Sequence, residues 1–282
     1  MKTIAITYSK GGVGKTATAV NLAAVLADEG FKVLLIDLDP QGCATANFPM
    51  KQDYATFPTV YEWLRDESTL AATARATNIR HLHLIGAEYR LSKLDDDLYR
   101  QMPTLAHEQE ALLVLRHHLK RAEEKYDFCI LDCQPSESMV KRNALAAADY
   151  AILPAIADDY ALTGLVYLSK EMEEVKRTVN PSLSVLGVLV TMDENTAVKK
   201  VYKDAICNAQ SMFPVFKQTI RKSSKIPYAL NHQRPVIRFR CPVAKDYVAF
   251  AYEALTKLGY DGYGATALAN HKLFRPFLHI GR

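Results

Sequence analysis

The sequence has 282 residues, of which 49% are hydrophobic and 23% are charged, a composition that excludes disordered and fibrous proteins. No apolar run approaches the roughly 18 residues of a membrane span, and no basic segment with an apolar core opens the chain, so we predict a cytoplasmic protein. The net charge of +4 hides an asymmetry, because residues 195–282 hold 15 Lys and Arg residues against four acidic residues.

Apolar, β-rich runs alternate with helical patterns along most of the chain. The predicted strands are residues 3–8, 32–38, 81–87, 127–133, 150–156 and 183–192. The predicted helices are residues 15–29, 107–124, 160–178, 196–212 and 243–258. Near-continuous apolar strands are buried on both faces, which predicts an α/β fold with a doubly wound, mostly parallel sheet flanked by helices. We expect a single domain over residues 1–258 and a C-terminal extension over residues 259–282, either packed on the body or partly loose.

A glycine-rich loop, "SKGGVGKT" at 9–16, follows the first predicted strand and precedes the first helix. In this context backbone N–H groups and the helix N-terminus bind phosphate. Lys15 is expected to reach the β and γ phosphates of a nucleotide, and the Thr16 hydroxyl to bind Mg²⁺. The predicted phosphate-binding residues are Gly11, Gly12, Val13, Gly14, Lys15, Thr16 and Ala17. An ordinary phosphate loop reads G-x-x-x-x-G-K-[ST], so Ser9 replaces its first glycine and Lys10 adds a second lysine.

Three aspartates end two of the predicted strands. Asp37 and Asp39 follow "LLI", and Asp132 follows "FCIL". The carboxyl ends of parallel strands face the crevice in which α/β proteins bind ligands, so these side chains can meet the metal and phosphates of one nucleotide. With Thr16, they are the predicted metal ligands, the carboxylates acting through water. Asp39 is the candidate for orienting the attacking water.

Three motifs in this order resemble the deviant Walker A, Walker A′ and Walker B motifs of the ParA/Soj/MinD ATPases, a branch of the P-loop NTPases. They are "KGGVGKT" at 10–16, "DLDPQG" at 37–42 and "ILDCQPS" at 130–136, and the resemblance continues to about residue 258. The short ParA type fits best, because the chain starts on its first strand without room for an N-terminal helix-turn-helix. Cys43, Cys133 and Gln134 depart from the family pattern, which leaves the switch loops and the hydrolysis rate open.

The resemblance implies a Mg²⁺-dependent ATPase whose catalytic residues are Lys10, Lys15 and Asp39. Lys10 resembles the family's signature lysine, which crosses the interface of a nucleotide-sandwich homodimer to touch the partner's phosphates. Two buried ATP–Mg ligands placed face to face need such added cations. The adenine contacts suggested by the family are Met192, Asp193 and Arg221.

ParA-type dimers bind DNA without sequence preference, and a ParB-like or adaptor protein stimulates hydrolysis and release. The basic C-terminal third agrees with phosphate contacts rather than base readout. The candidate DNA-binding residues are Lys199, Lys200, Lys203, Arg221, Lys222, Lys225, Arg234, Arg238, Arg240 and Lys245. The predicted function is therefore a nucleoid-associated ATPase that positions a plasmid, a chromosome region or another cargo.

Two alternatives stay open on the sequence. The tail "HKLFRPFLHIGR" at 271–282 is basic and apolar, as in a MinD-like membrane switch. Pro276 interrupts any helix there, so membrane binding is the less favoured prediction. A ligase-type metabolic enzyme of the same superfamily would need a second group of acid, base or nucleophile, and the sequence motifs do not supply one.

Overall fold

A single sheet organises the part of the chain that this computed structural model describes, residues 1–49, 57–100, 105–209 and 212–274. Its strand order is β3-β4-β2-β5-β1-β6-β7, and every neighbouring pair is parallel except β3 with β4. The strands are β1 (Lys2–Ile6), β2 (Val33–Leu38), β3 (Arg75–Ala76), β4 (Leu82–Ile85), β5 (Phe128–Cys133), β6 (Tyr150–Ile156) and β7 (Ser184–Thr191). The chain winds outward from the central β1 in both directions, so the predicted doubly wound α/β fold is confirmed.

Helices cover both faces of the sheet. They are α1 (Lys15–Asp28), α2 (Val60–Leu64), α3 (Leu70–Thr73), α4 (Ser92–Arg100), α5 (Leu105–Leu112), α6 (Val114–Lys120), α7 (Met139–Ala147), α8 (Ala161–Thr178), α9 (Ala197–Asn208), α10 (Lys225–Asn231), α11 (Pro242–Lys257) and α12 (Ala265–Asn270). The region predicted as one helix over 107–124 contains α5 and α6 instead, because the chain leaves helical geometry at Leu113. No helix within the described ranges is long and apolar enough to cross a membrane.

Two helices next to the site are not predicted by the sequence patterns. α7 has nine residues and runs almost directly into β6, so its apolar residues merge with the strand pattern. α10 contains Pro227, which usually argues against a helix. Here Pro227 lies in the first turn, where no intrahelical N–H bond is lost.

The sheet separates two apolar cores. Along β2, Val33 and Leu35 face α1 and α11, whereas Leu34 and Ile36 face the core formed with α4 to α8. Successive strand residues point to opposite faces, and all six residues of β2 are buried. The loops at the carboxyl ends of the strands are therefore held on a rigid, doubly covered support.

The first part of the C-terminal extension packs on the body. Tyr260 and Tyr263 lie against Phe31, with ring centroids 5.3 and 6.2 Å apart, and Lys272 pairs with Asp28 at 3.3 Å. These contacts favour the packed alternative for residues 259–274. Residues 275–282, most of the predicted membrane tail, lie outside the described ranges.

Candidate nucleotide site

The glycine-rich loop joins the end of β1 to the start of α1 and has the backbone that phosphate binding requires. Gly12 and Gly14 adopt φ angles of 74° and 82°, in the left-handed region that side chains rarely adopt. Gly14 is also the residue that precedes the first turn of α1. The N–H groups of that turn and the positive end of the helix dipole are thus directed toward the loop.

Lys15 folds back over the loop. Its side chain is buried, and its Nζ donates a hydrogen bond to the Lys10 carbonyl oxygen at 3.0 Å. Burial lowers the pKa of Lys15, and the nearby Asp132 carboxylate opposes this change. The ammonium therefore lies inside the loop, where phosphate oxygens can replace the carbonyl as its acceptor.

Asp37 and Asp132 are neighbours across β2 and β5. The Asp37 carboxylate is fully buried and accepts hydrogen bonds from the Thr45 N–H and hydroxyl, at 2.8 and 2.7 Å, and from the Asp39 N–H at 3.1 Å. Burial raises the pKa of Asp37 to about 6, and the bonds from Thr45 oppose the rise. Asp37 thus holds the 39–45 loop in place, in addition to its predicted metal role.

Asp132 differs, because neither of its carboxylate oxygens has a hydrogen-bond partner within the described residues, although both are buried. Burial, and then the Asp37 carboxylate, raise its pKa well above the usual range, whereas the Thr16 side chain and Lys15 lower it. A buried polar atom without a partner is costly, and a bound ion is one explanation for it. Carboxylate and hydroxyl oxygens are the ligands that Mg²⁺ prefers, so Asp132 and Thr16 fit this ion.

A pocket of about 370 Å³ opens above the loop. One side is polar and contains Lys15, Thr16 and Asp39. The apolar part of the lining comes from α10 and the segment after it, and consists mainly of Ile226, Pro227, Ala229, Leu230 and Val236. A polar end and an apolar end match the phosphates and the base of a nucleotide. The apolar side was missed at the sequence level, although Ile226 and Leu230 have the four-residue spacing of one helix face.

The three predicted adenine residues are divided between two cavities. Met192 lines the pocket and has a φ of 50°, an uncommon value for a side chain of this size. Asp193 and Arg221 instead line a neighbouring cleft of about 500 Å³. There Arg221 forms a two-pronged ion pair with the buried Asp246, with N–O distances of 2.6 and 2.8 Å. Asp193 and Arg221 thus line this cleft and not the pocket above the phosphate loop, and their predicted adenine contact stays a prediction.

Lys10 points away from the pocket above its own loop. Its Nζ is 2.6 Å from the Asp158 carboxylate and 5.6 Å from the centroid of the Tyr160 ring, and 44% of its side chain is exposed.

Val13 is buried, and its carbonyl oxygen accepts a hydrogen bond from the Thr191 hydroxyl at 2.8 Å. The loop is thereby tied to the end of β7.

The predicted DNA-binding residues do not form one unpaired surface. Four of them are bound to carboxylates of this chain: Lys203 to Asp193, Arg221 to Asp246, Lys222 to Glu194 and Arg238 to Asp28. The Lys199 ammonium donates to the Ala157 carbonyl at 2.9 Å. Within the described residues, no carboxylate pairs with the exposed side chains of Lys200, Lys225, Arg234 and Lys245. Arg240 is also exposed.

Known proteins resemble this chain along most of its length. The AAA domain family matches residues 1–185. The Bacillus subtilis sporulation initiation inhibitor protein Soj is 35% identical over 263 residues, covering 89% of this chain and 97% of Soj. The Myxococcus xanthus chromosome partitioning protein ParA is 32% identical over 258 residues, covering 90% of this chain and 88% of ParA.

Solved structures agree with these relatives. Apo McdA from Cyanothece superimposes with a TM-score of 0.80 at 25% identity, covering 90% of this chain and 99% of McdA. The motifs at 10–16, 37–42 and 130–136 therefore lie in the fold and at the strand ends that their resemblance implies. The chain belongs to the ParA/Soj family of P-loop ATPases, whose relatives include chromosome-partitioning proteins.

Proposed function

We propose that this protein is an ATP-hydrolysing partition switch that acts on DNA. The observation that carries this proposal is Asp132, a buried carboxylate without a partner within the described residues, at the end of β5 beside Thr16 and Lys15. Such a group needs a cation, and a Mg²⁺–nucleotide supplies one. Bound Mg²⁺ would neutralise charge that develops on the phosphate oxygens.

Other residues of the chain bind the phosphates and orient the attacking water. Backbone N–H groups of Gly11 to Thr16 hold the phosphates, and Lys15 moves from the Lys10 carbonyl to the β and γ phosphates. Asp39 lines the same pocket, half-buried, and orients the attacking water. Its Oδ1 accepts a hydrogen bond from the Gln41 N–H at 2.9 Å, which fixes the direction of the carboxylate.

A nucleotide-dependent homodimer is the second element of the proposal. Lys10 already projects away from its own phosphates, and an apolar surface begins beside it. At the start of α8 the side chains of Tyr160 and Tyr167 are 70% and 66% exposed, and those of Leu162 and Val166 are 41% and 39% exposed. Exposed apolar side chains grouped beside a charged site are typical of a protein interface. Lys10 would exchange Asp158 for the partner's phosphates.

DNA binding is the third element, and it is supported by four exposed cations that have no carboxylate partner within the described residues. Lys200, Lys225, Arg234 and Lys245 offer charge without first breaking an ion pair. The carboxylate-bound cations must give up a partner before contacting a phosphate, so they contribute less. A ParB-like or adaptor protein would stimulate hydrolysis and release the DNA, and nucleoid association would follow from DNA binding. The membrane alternative gains no support from the described part of the tail, because Leu273 and Phe274 pack against the body.

The proposal is tested by gel shift on a random duplex at several salt concentrations. The wild type and Lys10→Ala are compared with no nucleotide, with ADP and with a slowly hydrolysed ATP analogue. We expect binding that needs the analogue, weakens with salt and fails in the variant. Log affinity should fall by about 0.9 per log unit of salt for each phosphate neutralised. Absence of binding in every nucleotide state, or a flat salt response, would refute DNA binding.

A further inference from the structure

A buried ammonium lies directly behind the phosphate loop, and the predicted nucleotide contacts do not use it. The Lys141 side chain on α7 is 0% exposed. Its Nζ donates to the Glu171 carboxylate at 2.7 Å, to the Glu137 carboxylate at 2.9 Å and to the Ser9 hydroxyl at 3.3 Å. These acceptors come from α8, from the loop that follows Asp132 and from the first position of the phosphate loop.

The three acceptors match the three N–H bonds of a lysine ammonium. Burial by itself lowers the pKa of Lys141, but the Glu171 and Glu137 carboxylates outweigh it, so the pKa is raised and the side chain stays charged. Isolated buried charges are expensive, and this one is compensated on every side. The ammonium is therefore a fixed junction between three segments rather than a mobile surface charge.

The Lys141 ammonium holds the loop that follows Asp132, whose carboxylate has no hydrogen-bond partner within the described residues. Asp132 is the penultimate residue of β5, and the loop that follows the strand reaches Glu137 before α7 begins. The Ser138 hydroxyl accepts hydrogen bonds from the Lys141 N–H, at 3.0 Å, and from the Gln134 side chain. Both ends of the loop are thus attached to the first turn of α7. Lys141 also lies close enough to Lys15 to lower the pKa of that lysine.

We propose that Lys141 is a positioning residue for ATP hydrolysis, which fixes the loop after Asp132 against the phosphate loop by binding Glu137 and Ser9 together. The inference rests on the proposed function and deepens it. It also gives a physical reason for Ser9, because the glycine of an ordinary phosphate loop has no side-chain acceptor to offer. Small displacements of such loops have large effects on phosphoryl transfer, which depends on positioning.

The test removes the two loop contacts and leaves the buried Lys141–Glu171 pair intact. Ser9 and Glu137 are exposed, so Ser9→Ala and Glu137→Gln leave no buried charge unpaired. We expect each variant to lower kcat by about tenfold, the effect of a lost hydrogen bond to a charged group. The Kd for a slowly hydrolysed ATP analogue should change by less than about twofold. The double variant should be little worse than either single one, because Ser9 and Glu137 bind the same ammonium and also contact each other, with the Ser9 hydroxyl 3.5 Å from the Glu137 carboxylate.

Two controls separate positioning from general stability. Ser9→Thr keeps the hydroxyl and should restore most of the turnover that Ser9→Ala loses. Glu174→Gln removes the surface pair of Glu174 with Arg142, 3.2 Å apart, which joins the same two helices away from the phosphate loop. Its kcat should stay at the wild-type value.

Unchanged kcat in Ser9→Ala and Glu137→Gln, an equal loss in Glu174→Gln, or fully additive losses would overturn the positioning role. ATP hydrolysis by the wild type tests the proposed function by itself. A wild type that binds the analogue but never hydrolyses ATP would refute the proposed function, and the positioning role with it. Wild-type hydrolysis with unaffected variants would refute the positioning role alone.

Discussion

Replacement of Asp132 by asparagine is expected to stabilise the nucleotide-free protein while it abolishes hydrolysis. Both carboxylate oxygens are buried without a partner within the described residues, and Asp37 adds a second carboxylate on the neighbouring strand. Lys15 and Thr16 offset only part of the cost of burying this carboxyl group beside Asp37, and an asparagine amide carries no charge to bury. We therefore expect a gain of about 2 kcal/mol in the free energy of unfolding. For a chain of this size that corresponds to a Tm higher by about 4–8 °C.

Thermal unfolding with and without Mg²⁺–ATP checks this prediction. At a nucleotide concentration of about 100 Kd, ligand binding should stabilise the wild type by about 2.7 kcal/mol, and Asp132→Asn should lose most of that gain. Asp149→Ala is the control, because Asp149 accepts a hydrogen bond from the Thr3 N–H at 2.7 Å at the other end of the sheet. This control should lower the stability by about 1 kcal/mol. A nucleotide-free Asp132→Asn protein that melts at or below the wild-type Tm would refute the reasoning.

Three further predictions concern stability and DNA binding. Burial raises the pKa of the Asp37 carboxyl from 3.8 to about 6. The stability that protonated Asp37 contributes is therefore complete below pH 3.8 and is lost as the pH rises through 6. Asp37→Asn should flatten this part of the curve of unfolding free energy against pH, measured by urea unfolding. Gly164→Ala should lower the free energy of unfolding by about 1–3 kcal/mol in the same assay, because a Cβ there would lie 2.9 Å from the Tyr8 ring carbon Cζ. An unchanged urea midpoint would contradict this close packing. Lys225→Ala should reduce the salt slope of DNA binding by about 0.9, whereas Arg238→Ala, whose side chain is paired with Asp28, should change it less. Equal slopes would contradict the division between cations with and without a carboxylate partner within the described residues.

The phosphate side of the site was predictable because its chemistry depends on short, local patterns. Gly12 and Gly14 are needed at positive φ, and Lys15 and Thr16 follow at fixed spacing in the first turn of a helix. The apolar side was not predictable in the same way. It is formed by α10, more than 200 residues further along the chain, and Pro227 hides its helical character.

The basic third shows the limit of charge counting. The sequence correctly indicates an excess of cations between residues 195 and 282, but it does not indicate which of them are paired. Arg238 and Asp28 are 210 residues apart in the chain, and their ion pair exists only because α1 packs against the segment before α11. Candidate DNA contacts can therefore be ranked only once the partners of each cation are known.

By itself, the sequence determined the doubly wound sheet, the phosphate loop and the family, because strand burial, glycine conformation and motif order are local properties of the chain. Only the tertiary structure decided that the Asp132 carboxylate lacks a hydrogen-bond partner within the described residues while Asp37 is held by Thr45. It likewise decided that Asp193 and Arg221 line a separate cleft, and that Lys141 joins α7 and α8 to the phosphate loop. These features arise where segments that are far apart in the chain pack together. The spacing of residues along the sequence therefore does not predict them.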